Sequence, residues 1–313
     1  MARAECSGNM TVVPEFSLLG FQVFPEVKPL LFLIFFTIYL LTVAGNVLIV
    51  VTVHLEDSLH SPMYFFLGNL SLLDVWSTSN VVPTLLGGLL MDVNIISFYR
   101  CLMQYFCFGW MASTECFLLA VMAYDRYLAI CYPLHYTTLM RQQSCLLLAV
   151  STWMVGFFVS LNADYLMSMV QFFDRTEVDH FFCDFEPLLK AACSDTSWIK
   201  TITFVISSAI TSVPFLFIIV SYLYIISAIL RIPSAKGRKK AFSTCSSHLT
   251  VVITYFGILI IMYVVPSAGL SLNLNKALSL LYTVATPMFN PIVYALRNKA
   301  IMDALRKYLR KKV

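Results

Sequence analysis

Charge is what this 313-residue sequence has least of: Asp, Glu, Lys and Arg make up 12% of it, about half the share of a soluble domain. Together with 59% apolar residues and a mean hydropathy of +0.80, that shortage excludes a soluble globular enzyme and a disordered chain. A formal charge of +4 is too small to point to nucleic acid. There is no repeat at half-chain scale of the kind many transporters carry. No Gly/Ser-rich or Pro-rich linker divides the chain either, so a single bundle is expected. An HExxH motif, a Gly-rich acid motif and a Ser/His pair at one depth are all missing, which removes the usual bases for intramembrane hydrolysis. Nothing in residues 1–28 reads as a cleavable leader, since Glu5, Glu15, Glu26 and Lys28 interrupt it. The first apolar run is therefore expected to act as its own targeting signal.

What is present is seven nearly uncharged runs, each near the ~20 residues that cross a bilayer core as a helix. They fall at residues 29–53, 62–91, 101–130, 142–163, 201–230, 241–266 and 277–296. The expected fold is an all-α membrane protein, a seven-transmembrane helix bundle over residues 29–296. It is preceded by an extracellular segment, 1–28, and followed by a cytoplasmic tail, 297–313. Of the 21 Lys and Arg, 14 fall on one side if the N-terminus is outside, which puts the C-terminus in the cytoplasm. The sequon Asn9-Met10-Thr11 then lies outside, as N-glycosylation requires, whereas Asn69-Leu70-Ser71 sits inside a span where no transferase reaches. Residues 164–200 form one long extracellular loop, and loops of that length are usually functional or pinned. In the tail, Ile301, Ala304, Leu305, Tyr308 and Leu309 oppose Lys299, Asp303, Arg306, Lys307 and Arg310, the pattern of a short eighth helix lying on the membrane. With no cysteine after Cys245, that helix cannot be palmitoylated.

Several residues stand out against this apolar background. Asp125-Arg126-Tyr127 lies at the cytoplasmic end of the third span. An ion pair there can break and re-form, although a snorkelling anchor reads the same when the tripeptide stands alone. Asn290-Pro291 in the seventh span, with Tyr294 following, removes a helical hydrogen bond and makes a hinge. Asn46, Asp74, Trp153, Pro214 and Tyr222 complete a set of one special residue per span. Asp74 and Glu115 are carboxylates at membrane depth, so each must face the interior and find a partner.

Together these features resemble the rhodopsin-like G-protein-coupled receptors. Four longer segments narrow the resemblance to the vertebrate odorant (olfactory) receptors. They are Pro62-Met-Tyr-Phe-Phe-Leu-Gly-Asn-Leu-Ser-Leu-Leu-Asp74, Met122-Ala-Tyr-Asp-Arg-Tyr-Leu-Ala-Ile-Cys-Tyr-Pro-Leu-His-Tyr136, Lys240-Ala-Phe-Ser-Thr-Cys-Ser-Ser-His-Leu249 and Pro287-Met-Phe-Asn-Pro-Ile-Val-Tyr-Ala-Leu-Arg-Asn298. The resemblance implies a receptor for a small volatile odorant that activates a stimulatory, olfactory-type heterotrimeric G protein and raises cAMP. Its place would be the plasma membrane of olfactory neuron cilia. Asp125, Arg126, Tyr127, Tyr222, His248, Asn290, Pro291 and Tyr294 would then carry the switch and the coupling. Asp74 and Glu115 would share a sodium ion or a proton, since two bare carboxylates in low dielectric cannot both stay ionised; no other metal or cofactor is implied. A disulfide between Cys101 and Cys183 would pin the long loop. The basic run at residues 231–240 reads as a G-protein contact, as an anchor on anionic lipid, or as both.

Helical phase and the resemblance jointly place a pocket in the outer half of the bundle. Its expected lining is Tyr105, Phe108, Gly109, Ala112 and Ser113 from the third span, then Ile206, Ser207 and Ile210 from the fifth. Phe256, Leu259, Ile260 and Tyr263 follow from the sixth and Thr283 from the seventh. The outer third span has no acid and the outer sixth no Arg or Lys, which favours a neutral, mostly apolar ligand with one hydrogen-bonding group. Three departures from the family pattern are Tyr255-Phe256 in place of Phe-Tyr, Phe289 for Leu, and Phe173 where a loop cysteine is usual. The last leaves Cys193 without its usual partner, either free or paired with Cys6. The competing function is a membrane transporter or ion-coupled carrier working through Asp74 and Glu115.

Overall fold

The computed structural model describes residues 15–91, 94–172, 176–264, 272–297 and 299–311. After strand β1 (Glu15–Leu18) come α1 (Lys28–Leu55), α2 (Pro62–Leu90), β2 (Asn94–Ser97), α3 (Phe98–Cys131) and α4 (Pro133–Leu139). Then follow α5 (Gln142–Ser168), β3 (Thr176–Val178), α6 (Phe185–Ala191), α7 (Ser197–Leu230) and α8 (Ala235–Leu259). The chain ends with α9 (Leu272–Leu280), α10 (Thr286–Arg297) and α11 (Lys299–Lys311). α1, α3, α5, α7 and the span Cys245–Met262, which runs from α8 into the π-helical turn after it, are long and apolar enough to cross a bilayer. α2 and the α9–α10 pair make up the remaining passes of a seven-helix bundle. α2 is the more polar because it is central: Ser71, Asp74, Ser77 and Thr78 all face inward.

Several helices differ in extent or regularity from the sequence expectation. α5 runs five residues beyond Ala163, so Asp164 sits on a helix and the long loop is correspondingly shorter. α7 begins at Ser197, four residues before the expected start of the fifth span. α8 starts at Ala235, which makes the basic run from Lys236 part of a helix whose first turn Ser234 caps through the Gly237 N–H at 3.0 Å. The seventh span is interrupted by a π-helical segment, Leu281–Ala285, and the sixth ends in another, Ile260–Val264.

A small sheet, unannounced by the residue pattern, accompanies the helices. β1 pairs antiparallel with β2 and parallel with β3, in the order β2-β1-β3. Phe16, Leu18, Ile96 and Val178 alternate onto its buried face and pack against Tyr105, Leu166 and Met167 at the end of the bundle. The Cys101–Cys183 disulfide joins α3 to the segment behind β3, with Cα atoms 5.5 Å apart. Cys193 is disulfide-bonded as well, which removes the free-thiol alternative; Cys6 and Phe173 lie outside the described residues. A third tie is ionic: Lys276 at the top of α9 donates to Asp179 Oδ1 at 2.5 Å and to the Gly20 carbonyl at 2.8 Å. Gly20 presents that carbonyl from a left-handed turn, φ +58°, which favours glycine. Beside this tie His180 is buried against Phe181 and Phe182, and burial together with the Lys276 charge pulls its imidazole down to about 3, so it stays neutral. Sheet, disulfide and ion pair together close this end of the bundle.

Two glycines and three tryptophans fix how α5 meets α3. A Cβ on Gly156 would run into Thr114 Oγ1 and would come within 2.9 Å of the Thr114 nitrogen and the Trp110 carbonyl. One on Gly109 would meet Ser160 Oγ at 2.6 Å. Hydrogen atoms at these two positions let the backbones touch. Trp110 Nε1 then donates to the Trp153 carbonyl (2.9 Å), and Trp153 Nε1 to Asn69 Oδ1 on α2 (3.2 Å). Trp76, Trp110 and Trp153 meet edge to face, each such pair worth about 0.5–1.5 kcal/mol beyond its burial. Asn69, the unusable sequon, therefore serves helix packing.

Candidate functional site

A cavity of about 110 Å³ lies between α3, α5 and α7, beneath the disulfide. Of the expected lining, Tyr105, Phe108, Gly109, Ala112, Ser113, Ile206, Ser207, Ile210 and Leu259 surround it. Phe256, Ile260 and Thr283 do not. Phe256 is fully buried behind Phe215, whose ring stacks on it at 5.2 Å. Ile260 opens one π-helical segment and Thr283 lies inside the other, where it donates to the Ser279 carbonyl at 2.7 Å. The wider π turn shifts the phase of the residues in it, so a 3.6-residue projection aims these side chains wrongly. The side chain of Tyr263 and the whole of Asn9 lie outside the described residues.

The cavity wall also contains residues that the sequence reading missed. α5 contributes Val159, Ser160 and Ala163, and α7 contributes Thr203 and Thr211. The loop contributes Asp184, only 2% exposed, whose Oδ1 accepts from the Phe185 N–H at 2.8 Å to cap α6. No Lys, Arg or His is among the described residues that line the cavity. Ser160 Oγ and Thr203 Oγ1 are buried there with no hydrogen-bond partner. A signal for Asp184 was available: it follows Cys183, and a loop cysteine bonded to the top of the third span must place its neighbour over the bundle. Below the cavity, Tyr255 donates to the Ala112 carbonyl at 2.7 Å and lies 3.4 Å from the Tyr282 hydroxyl, bridging α8, α3 and the seventh span.

Further along the bundle axis lie the two interior acids. Asp74 accepts from Asn290 Nδ2 through both oxygens at 3.1 Å. Glu115 is 6% exposed and its Oε1 has no hydrogen-bond partner. The two carboxylates lie close enough for one to feel the other's charge. Asn46 ties α1 to the same region by donating to the Pro287 carbonyl at 3.0 Å, and Pro291 packs against the position of Gly45.

At the far end Arg126 and Asp125 are paired at 2.5 Å, and Asp125, 1% exposed, also accepts from the Tyr136 hydroxyl of α4 at 2.7 Å. His248 on α8 faces the Tyr222 hydroxyl of α7 through Nδ1 (2.7 Å) and the Leu119 carbonyl of α3 through Nε2 (3.2 Å). A carbonyl can only accept, so Nε2 carries a proton. One imidazole therefore fastens three helices. Tyr294 is buried with its hydroxyl unpartnered, and Tyr127 packs against Tyr132 and Tyr224. Leu134 on α4 stands 90% exposed beside this cluster. The arrangement is a set of polar ties between helices, and the described residues in it form no nucleophile–base pair.

Comparison with known proteins agrees with this geometry. The profile of a family described as "Olfactory receptor" matches residues 35–312. The chain is 48% identical to Olfactory receptor 11A1 of Homo sapiens over 303 residues, 97% of this chain and 96% of that protein. It is 46% identical to Olfactory receptor 6B9 of Mus musculus over 299 residues, 96% of this chain and 95% of the relative.

Proposed function

The chain belongs to the olfactory receptor family, and on that premise we propose that it binds a small, neutral, mostly apolar volatile ligand in the α3–α5–α7 cavity and activates a stimulatory, olfactory-type G protein that raises cAMP. Membership makes the chain an odorant-sensing G-protein-coupled receptor and not an enzyme, and it leaves the carrier reading of the two acids without support. One observation carries the ligand class: the described residues of the cavity wall are mostly aliphatic and aromatic side chains with a few hydroxyls and the Asp184 carboxylate, and no Lys, Arg or His is among them. A carboxylate ligand would enter without a counter-charge, at a cost of several kcal/mol. The cavity end is taken as extracellular and the Arg126 end as cytoplasmic, which the distribution of Lys and Arg supports. On the cytoplasmic side the basic start of α8 and the bare Leu134 give a G protein both charge and an apolar contact. In the same orientation Asn9 is accessible for glycosylation and α11 lies along the membrane, its Ile301 and Ala304 turned inward.

Ligand binding shifts a two-state bundle by favouring the arrangement it fits better. Release of the Asp125–Arg126 pair, with movement of α8 about its His248 tie, opens the cytoplasmic cleft. In cells supplied with the olfactory-type G protein, a panel of volatile neutrals, carboxylic acids and amines is expected to raise cAMP only through neutral members. Arg126→Ala is expected to remove the response while surface expression persists. A response to acids or amines alone would refute the ligand class.

Asp74 and Glu115 fit a shared sodium ion or proton. They are buried oxygen donors, one with an orphaned oxygen, and two adjacent charges need such a partner. The double variant Asp74→Asn, Glu115→Gln is expected to lose the dependence of agonist potency on sodium and on pH. Wild-type dependence in that variant would rule the site out.

A further inference from the structure

We propose that Thr203 and Ser160 read the ligand: their hydroxyls donate to an acceptor oxygen, and the cavity thereby selects small carbonyl compounds, that is ketones, aldehydes and esters. This deepens the neutral-ligand reading above and rests on it.

Ser160 Oγ on α5 and Thr203 Oγ1 on α7 are buried in the cavity wall without a hydrogen-bond partner. A helical serine or threonine ordinarily places its proton within its own helix. Thr42, Thr52, Thr78 and Thr114 donate to the carbonyl four residues back at 2.7–2.8 Å, and on α7 Thr201 does so to Ser197 at 2.9 Å. Thr203, two residues further along α7, and Ser160 do not. Both oxygens are also shut off from water, so a group inside the cavity is what can take either proton, and a buried donor left unmet is costly.

The surroundings restrict what that group is. Ser160 Oγ lies over the bare backbone of Gly109, where an added Cβ would come within 2.6 Å of it, which puts the hydroxyl on the α3 side of α5. Thr203 is followed at i+4 and i+8 by Ser207 and Thr211, which line the cavity too, so α7 carries a row of hydroxyls beside the aliphatic Ile206 and Ile210. A carbonyl oxygen suits such a wall because it brings two lone pairs and no proton. An alcohol brings a proton of its own that must also leave water, and a hydrocarbon leaves both hydroxyls unmet. Size follows from the volume: the cavity holds about 110 Å³, and one of about 150 Å³ accommodates benzene, so skeletons of about six carbons are the right scale.

The test uses triplets of volatile compounds on one such skeleton: a ketone, its isostere with C=CH₂ in place of C=O, and the corresponding alcohol. Potency is read as cAMP in cells with surface levels measured. In the wild-type receptor the ketone is expected to be at least about tenfold more potent than the isostere, and no weaker than the alcohol. Thr203→Val removes one donor with little change of shape and is expected to cut the ketone-to-isostere ratio about five- to tenfold, through loss of ketone potency alone. Ser160→Ala is expected to cut it about threefold. Thr203→Ser keeps the hydroxyl and is expected to keep the ratio, which a purely structural role for the threonine would not require. Equal potency of ketone and isostere, or an alcohol about tenfold stronger than the ketone, would overturn the inference while the neutral-ligand reading stands. A ratio unchanged in both Thr203→Val and Ser160→Ala at normal surface levels would overturn it as well. Should Thr203→Val fail to reach the surface, the wild-type triplets and Ser160→Ala decide the matter. Silence to every neutral compound with the receptor at the surface overturns the neutral-ligand reading and this inference with it.

Discussion

Gly156→Leu is expected to abolish delivery of the receptor to the cell surface, and Gly156→Ala to reduce it several-fold, whereas Gly68→Ala leaves it unchanged. All three replace a glycine inside a transmembrane helix with a residue of better helix propensity, so intrinsic preference predicts a gain of about 1 kcal/mol from each alanine. Packing decides otherwise at Gly156. A methyl group there meets the Thr114 nitrogen and the Trp110 carbonyl, both at 2.9 Å and both backbone atoms that no rotamer change can move. Relief requires α5 to draw away from α3, which breaks the Trp110–Trp153 hydrogen bond and strips the cavity of its Ser160 wall. Overpacking of this sort costs about 1–3 kcal/mol and more when backbone must shift. Gly68 has nothing within 4 Å of its would-be Cβ and serves as the control. Flow cytometry of an epitope-tagged chain measures all three; normal surface levels for Gly156→Leu would show that α3 and α5 do not pack as described.

Asp125→Asn is expected to raise ligand-independent cAMP signalling about tenfold. The Asp125 carboxylate holds Arg126 at 2.5 Å and the Tyr136 hydroxyl at 2.7 Å, in a site almost closed to water. Hydrogen bonds to a charged group are worth about 1.5–3 kcal/mol, and 1.4 kcal/mol is a factor of ten in a two-state population. If the pair is made only in the resting arrangement, removing the charge shifts the balance toward the signalling one by that factor. Tyr136→Phe removes the smaller share and is expected to raise basal signalling two- to threefold. In an Arg126→Ala background Asp125→Asn should add nothing, because the partner it releases is gone. Basal signalling at the wild-type level, with equal surface expression, would mean that the pair persists in both states.

The two predictions depend on different kinds of information. Asp125-Arg126 and its depth at the end of the third span are legible in the sequence, because an ionic tripeptide against a run of apolar residues has few uses. Tyr136 is in the sequence too, but nothing in it says that α4 folds back to present its hydroxyl to Asp125. Gly156 is one of 11 glycines and carries no mark in the chain to separate it from Gly68. Its role comes from the distance between two backbones, which exists only once the helices have packed.

The same division runs through the fold and the cavity. Apolar length, the Lys and Arg asymmetry and one special residue per span were enough to give seven helices, because a bilayer admits no other arrangement for such runs. The inward aim of Tyr105, Phe108, Ser113, Ile206 and Ile210 followed from helical phase together with the family resemblance, and α3 and α7 hold their register along the cavity. Phase failed at Ile260 and Thr283, where π-helical segments reset it, and at Phe256, which Phe215 covers. What the sequence determined by itself was local and periodic: which segments cross, and where a proline or an ion pair sits along each. What only the tertiary structure decided was contact between segments distant in the chain: the β2-β1-β3 cover, Lys276 on Asp179, Asp184 over the cavity, and His248 fastened to α3 and α7. The physical reason is that hydrophobic periodicity reports a residue's distance from lipid, while a hydrogen bond or a close approach between helices depends on relative rotation and spacing. Packing sets both, and no single helix encodes them.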